Sequence, residues 1–195
     1  MQLEDRIQHP HKIVRVIGFD DAPFSKIPGQ PVNIAGIVCA NTRFEGMLWD
    51  TVARDGLDAT QTLIDGLSAS KFLPQLHAIL IDGLAFGGFN IVDLPSLSHA
   101  IGLPCVAVMR KLPDLGAVDQ ALAHLEHHSV KREQIRRAGA IHQLNGFTFQ
   151  VQGMAPDVAS ALLAKVTDTG RVPEALRLAH LIGSAVKTGQ SSRRA

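Results

Sequence analysis

Two hydrophobic periods divide the chain. Residues 12–19, KIVRVIGF, alternate β-branched residues with others and predict a strand that stops abruptly at Asp20-Asp21. The segment 22–31, APFSKIPGQP, is dense in Pro and Gly and predicts a loop. Residues 32–40, VNIAGIVCA, predict a second strand and residues 46–54, GMLWDTVAR, a third. The polar link NTRFEG between them fits a hairpin or short meander.

At Asp58 the period changes. Leu63, Ile64, Leu67 and Phe72 fall at helical spacing, with Asp58 placed as the N-cap. Residues 77–81, HAILI, form a short, nearly all-apolar run ending in Asp82-Gly83, as expected of a strand buried on both faces in a parallel sheet. Residues 92–102 predict a helix stopped by Gly102, and residues 104–109, PCVAVM, another buried strand ending at Arg110-Lys111. A helix over 115–127, the basic stretch KREQIRR, two short strands near 140–151 and helices near 156–167 and 173–187 complete the pattern.

Three antiparallel strands followed by βαβ units predict an α/β fold: a ribonuclease H-like mixed sheet flanked by helices. A doubly wound Rossmann-type sheet fits less well, because no helical segment separates the first three strands. With 195 residues, 46% of them apolar, the chain suits a single domain, read as 1–189, with 190–195 as a flexible tail. The formal net charge of +1 excludes a histone-like polycation but leaves room for a local basic patch that binds nucleic acid. Cys39 and Cys105 each lie inside an apolar run and read as reduced thiols of a cytoplasmic protein. The first ten residues do not read as a signal peptide, and no apolar run approaches the roughly 20 residues needed to span a bilayer, so no membrane partner is expected.

The candidate chemistry begins with Asp20 and Asp82, each at the end of a predicted strand. If those strands are neighbours, the two carboxylates converge and repel one another unless a cation lies between them. Hard divalent ions such as Mg²⁺ take oxygen ligands and keep several waters, and one held this way can orient a water against a phosphodiester. The alternative is that both residues merely begin loops, where Asp is common.

These positions carry a resemblance. IGFDDAPF resembles the first-strand motif of endonuclease V, with Asp20 at its metal-binding aspartate. HAILIDGLAFGGFNIVDLPSLSHAIGLPCVAVMRK is similar to that family's second block, with Asp82 at the second metal-binding aspartate and Arg110, beside Lys111, at its lysine. RVPEALRLAHLI resembles its closing helix, with His180 at a histidine placed near the metal. The blocks IGFDD, DGLDAT, DGLAFGGFN and RKLPD are closer still to a family of uncharacterised, largely archaeal proteins (domain-of-unknown-function family ninety-nine), and the chain is identified as a member of it. These proteins are grouped as distant relatives of endonuclease V. The resemblance implies a Mg²⁺- or Mn²⁺-dependent endonuclease acting on DNA or RNA, with a role in nucleic-acid repair. In that reading Asp20 and Asp82 hold the ion, Asp58 and His180 complete or flank the site, Asp21 supports it from behind, and Arg110 or Lys111 engages phosphate.

The chain also departs from endonuclease V. That family's metal-binding glutamate falls near Gln61 here, and Asp58 is the nearest carboxylate, equally readable as a helix cap. The strand-separating wedge contains Pro and Tyr in endonuclease V; this chain has no Tyr, and its PGQP loop follows the first strand instead of the third. In GLAFGGFN, Phe86 and Phe89 are candidates for stacking on a base or, more commonly, for packing the loop, and Asn90 and Asp93 for capping the next helix. His124, His127 and His128 are spaced to share a helix face, read as solvated. Lys131, Arg132, Arg136 and Arg137 form the best candidate phosphate-backbone patch, with ordinary solvated surface as the alternative. Two further functions stay open: a non-catalytic nucleic-acid binder with a degenerate metal site, and a nucleotide-binding domain using the Gly-rich loop.

Overall fold

A computed structural model describes residues 3–25 and 30–192. The first three strands form as a meander: β1 (Arg15–Asp21), β2 (Pro31–Ala40) and β3 (Arg43–Ala53), each antiparallel to the last. The third begins three residues before the sequence pattern predicts. The inner part of the PGQP loop, with residues 26–29, lies outside the described residues, as do residues 193–195 of the expected tail.

The chain then alternates. Helix α2 (Ala59–Ser68) leads through a short 3₁₀ turn to β4 (Ala78–Asp82), and a two-stranded hairpin, β5 (Ala85–Phe86) and β6 (Asn90–Ile91), precedes helix α3 (Leu94–Ile101) and β7 (Cys105–Met109). Helices α4 (Leu115–Leu122) and α5 (His128–Arg137) follow, then β8 (His142–Leu144) and β9 (Phe147–Gln152), and finally α6 (Pro156–Lys165) and α7 (Glu174–Thr188). A short helix, α1 (Leu3–Gln8), precedes the sheet. Its six residues are too few for hydrophobic periodicity to reveal it.

The sheet is mixed and seven-stranded, in the order β3-β2-β1-β4-β7-β9-β8, with β1, β4 and β7 parallel at its centre. The ribonuclease H-like expectation therefore holds. Strand alternation sorts the core into two layers. Ile17, Phe19, Ile79, Ile81 and Ala107 face α2 and α3, whereas Val16, Leu80, Val106 and Val108 face α6 and α7. Burial on both faces explains the all-apolar runs of β4 and β7.

Two expectations about local structure are corrected. The helix expected over 115–127 ends at Leu122, and α5 starts afresh after His127, whose backbone is left-handed (φ 56°). The break puts His124 on one side of it and His128 on the other, so the three histidines do not share one helix face. The basic stretch KREQIRR lies within α5. Gly102 does stop α3 in a left-handed C-cap (φ 72°), and Asp93 caps the start of that helix by accepting from the Ser96 N–H.

Candidate active site

The parallel pairing of β1 and β4 sets Gly18 against Leu80 and Phe19 against Ile81. One step further, the same register brings Asp20 level with Asp82 at the C-terminal ends of both strands. Alternation puts both carboxylates on the layer covered by α7. That helix lies very close to β1: a Cβ on Gly18 would sit 2.8 Å from the Ala175 backbone. The close approach carries His180, one turn further along α7, to Asp20, with Nδ1 2.9 Å from Oδ2.

Asp20 is buried, and its other oxygen accepts from the Asp21 N–H at 2.8 Å. Burial, reinforced by the negative charges of Asp82 and Asp21, pushes its pKa up to about 8, against the smaller opposing effects of the Asp21 N–H and the Arg110 guanidinium. Asp21 is also raised, first by burial, while its Oδ2 accepts the Gly87 N–H at 2.6 Å. Asp82 pairs with Arg110 at 3.0 Å. Three carboxylates thus crowd one sheet edge with a single guanidinium against them. Lys111, next in the chain, is exposed.

This donor set fits a hard divalent cation. Two carboxylates stand side by side at the ends of adjacent strands, and a cation held by both would relieve the repulsion that helps raise Asp20. Among the described residues no group of three or more His, Cys, Asp or Glu side chains closes on a common point. An ion on Asp20 and Asp82 would therefore keep water or phosphate oxygens in its remaining positions, as Mg²⁺ usually does.

The structure separates Asp58 from this edge. Its carboxylate accepts from the Ala53 N–H at 3.1 Å and from the Asn90 side-chain amide. The expectation that it caps α2 is corrected as well, since its side chain makes no capping bond there. Asn90 does that work from the hairpin: its Oδ1 accepts the Ala59 N–H at 3.0 Å while its amide nitrogen donates to the Ala53 carbonyl at 2.8 Å. Sequence reasoning assigned Asn90 to the following helix, and nothing in the linear spacing points back 31 residues.

The phosphate patch on α5 is also corrected. Lys131 is fully buried, and its ammonium donates to the carbonyls of Asp55, Gly56 and Phe89 at 2.6–2.8 Å. Arg132 pairs with Asp119, Arg136 with Glu133 and Arg137 with Asp93, so the exposed cations of this helix are neutralised one for one. Phe86 is buried in the core and unavailable for base stacking; Phe89 is half-buried.

The Gly-rich segment folds as a tight hairpin whose shape depends on its glycines. Gly88 (φ 93°) packs so closely on Asp55 that a Cβ would lie 2.4 Å from its carboxylate. Between this hairpin, the 109–118 segment and α5 opens a cleft of about 860 Å³ walled by Leu84, Phe89, Met109, Leu112 and Ile135, with Gln150 also lining it. Gly83 and Met109, the chain neighbours of Asp82 and Arg110, form part of the wall, so the cleft opens at the same strand ends as the two carboxylates but on the opposite layer of the sheet. The sequence pattern gave no sign of it.

The fold is that of an α/β protein of the ribonuclease H-like kind, as in endonuclease V. Endonuclease V from Bacillus subtilis superposes with a TM-score of 0.60 at 12% identity, over 96% of this chain and 88% of that one. Endonuclease V from Ciona intestinalis, in complex with DNA containing an inosine, gives 0.56 at 16% identity, over 86% and 83%. At these identities the likeness is one of fold. The chain itself belongs to the Endonuclease dU family, whose sequence model matches residues 12–187. A UPF0215 protein from Methanothermobacter thermautotrophicus is 39% identical over 183 residues, covering 91% of this chain and 90% of the relative. The crystal structure of a protein of unknown function from Archaeoglobus fulgidus superposes with a TM-score of 0.84 at 34% identity, over 89% of this chain and 98% of that one. Among the described residues no helix is long and apolar enough to cross a membrane.

Proposed function

We propose that the protein is a divalent-metal-dependent endonuclease that cuts a DNA strand beside a deaminated base. The observation that carries this reading is the level pairing of Asp20 and Asp82 at the ends of two parallel strands, with His180 on one carboxylate and Arg110 on the other. Asp20 and Asp82 would hold Mg²⁺ or Mn²⁺, which would supply Lewis acidity to the phosphate and an oriented water. His180 fixes the rotamer of Asp20. Arg110, half-exposed, exchanges its carboxylate for a phosphate oxygen when a strand arrives, with Lys111 beside it. The neighbouring apolar cleft has the size of a small-molecule site, commonly about 300–1,000 Å³, and takes an extruded base, with Phe89 as a stacking surface. Support for a deaminated base comes from the family's description as Endonuclease dU and from the inosine-containing DNA in the Ciona complex.

Cleavage of labelled single- and double-stranded DNA and RNA carrying uracil, inosine or an abasic site, with Mg²⁺ or Mn²⁺, tests this reading. Metal-dependent cutting beside a deaminated base, lost in Asp82→Asn, is the expected result. Among the described residues no third His, Cys, Asp or Glu side chain closes with Asp20 and Asp82 on a common point, which favours one rival, a non-catalytic nucleic-acid binder. Salt-dependent binding with no cutting under any metal would establish it.

A further inference from the structure

The cleft at these strand ends is almost wholly apolar, yet it includes one uncharged polar side chain that is itself buried, Gln150. Gln150 lies on β9 opposite Ala107 of β7, on the sheet layer that faces α5. Its amide nitrogen donates to the Gly139 carbonyl at 2.7 Å. A carbonyl only accepts, so this bond fixes which end of the amide is which. Turning the amide over would set two oxygens against each other. Among the described residues no donor pairs with Oε1, which leaves an oriented acceptor in an apolar cleft.

We propose that Gln150 is a specificity-determining residue whose Oε1 accepts the ring N–H of a deaminated nucleobase held in this cleft. The inference rests on the nuclease reading above. Deamination changes one ring nitrogen from acceptor to donor: N3 of cytosine becomes N3–H in uracil, and N1 of adenine becomes N1–H in hypoxanthine. An acceptor that cannot rotate welcomes the N–H and repels the lone pair of the parent base. Thymine and guanine carry the same ring N–H, so Gln150 separates deaminated bases from cytosine and adenine only. Excluding thymine and guanine falls to the shape of the walls and to the cost of extruding a correctly paired base.

The test compares oligonucleotides carrying uracil, 3-methyluracil or cytosine at one position, using wild type and Gln150→Leu. Single-turnover cleavage is read with Mg²⁺, and binding is read by fluorescence anisotropy in EDTA. In wild type, replacing the N–H by N–CH₃ or by a lone pair should lower the rate by about a hundredfold or more, because a buried acceptor is left unpaired. In Gln150→Leu, the penalties for 3-methyluracil and cytosine should collapse to within about threefold of uracil, since an apolar side chain offers nothing to either edge. Equal wild-type rates on uracil and 3-methyluracil would overturn the inference while leaving the nuclease reading intact, and that comparison needs no folded variant. An unchanged methyl penalty in Gln150→Leu would overturn it too, by showing the penalty to be steric. No cutting and no binding of any oligonucleotide would overturn both.

Discussion

Two buried charges in this molecule have opposite surroundings. Lys131 is inside the protein with all three ammonium protons on carbonyl oxygens, and through them it ties α5 to the 55–56 turn and to the Gly-rich hairpin. Asp20 is equally enclosed but has Asp21 and Asp82 for neighbours, and its pKa rises to about 8. A buried charge whose hydrogen bonds are complete holds structure in place. One crowded by like charge stores a repulsion that only a proton or a cation relieves. The contrast gives the first site an architectural role and supports the proposal of chemistry at the second, although a reading of the sequence puts Lys131 among the contacts to nucleic acid.

The contrast can be broken in four places. The largest effect is expected at the acidic edge: Asp82→Asn should lower single-turnover cleavage by about a thousandfold, the scale lost with one transition-state electrostatic contact, with little change in urea-induced unfolding. Lys131→Met should do the reverse. Leaving three buried carbonyls without a donor should cost about 3 kcal/mol in urea unfolding. If Lys131→Met proved neutral in stability but weakened DNA binding, the assignment of roles would be inverted.

The third effect is on pH. Folded Asp20 keeps its proton up to about pH 8, whereas an unfolded aspartate loses it near pH 3.8. Folding therefore takes up a proton between these values, and stability falls as pH rises through that window, by about 1.4 kcal/mol per pH unit for one proton. Urea unfolding should show a loss of about 2 kcal/mol between about pH 6 and about pH 8, and saturating Mg²⁺ should largely cancel it. A flat profile without metal would show that the carboxylates do not repel as the structure implies. The smallest effect belongs to the surface pairs. Arg132→Ala, which removes an exposed partner of Asp119, should change stability by less than about 0.5 kcal/mol, and its binding to DNA should stay within about twofold of wild type.

What was legible in the sequence follows the range over which each signal acts. The strands of the central sheet declare themselves because burial on both faces forbids polar residues, and Asp20 and Asp82 stand out as the polar residues that end them. His180 was placed through a family resemblance; no periodicity links it to a strand 160 residues earlier. Asn90, Lys131 and Gln150 were misread or unseen for one reason. Each acts through backbone groups distant in sequence, and a backbone carbonyl has no letter of its own. Asp58 illustrates the same limit: at a helix start an N-cap is the local expectation, and a side chain from the hairpin takes that role instead. The apolar cleft was invisible because its walls come from three separate segments, each of which alone reads as ordinary core or loop.

The close seating of α7 on β1 also sets an order of events. Every strand of the sheet leaves the ribosome before Glu174–Thr188 does, so the sheet can form while Asp20 still lacks His180. Until that helix arrives, the layer bearing Val16, Leu80 and the two aspartates stays open on the side it will cover. A nascent chain thus has its strands paired before its acidic edge is assembled, and a product cut short before residue 174 would carry both aspartates without the histidine that orients one of them.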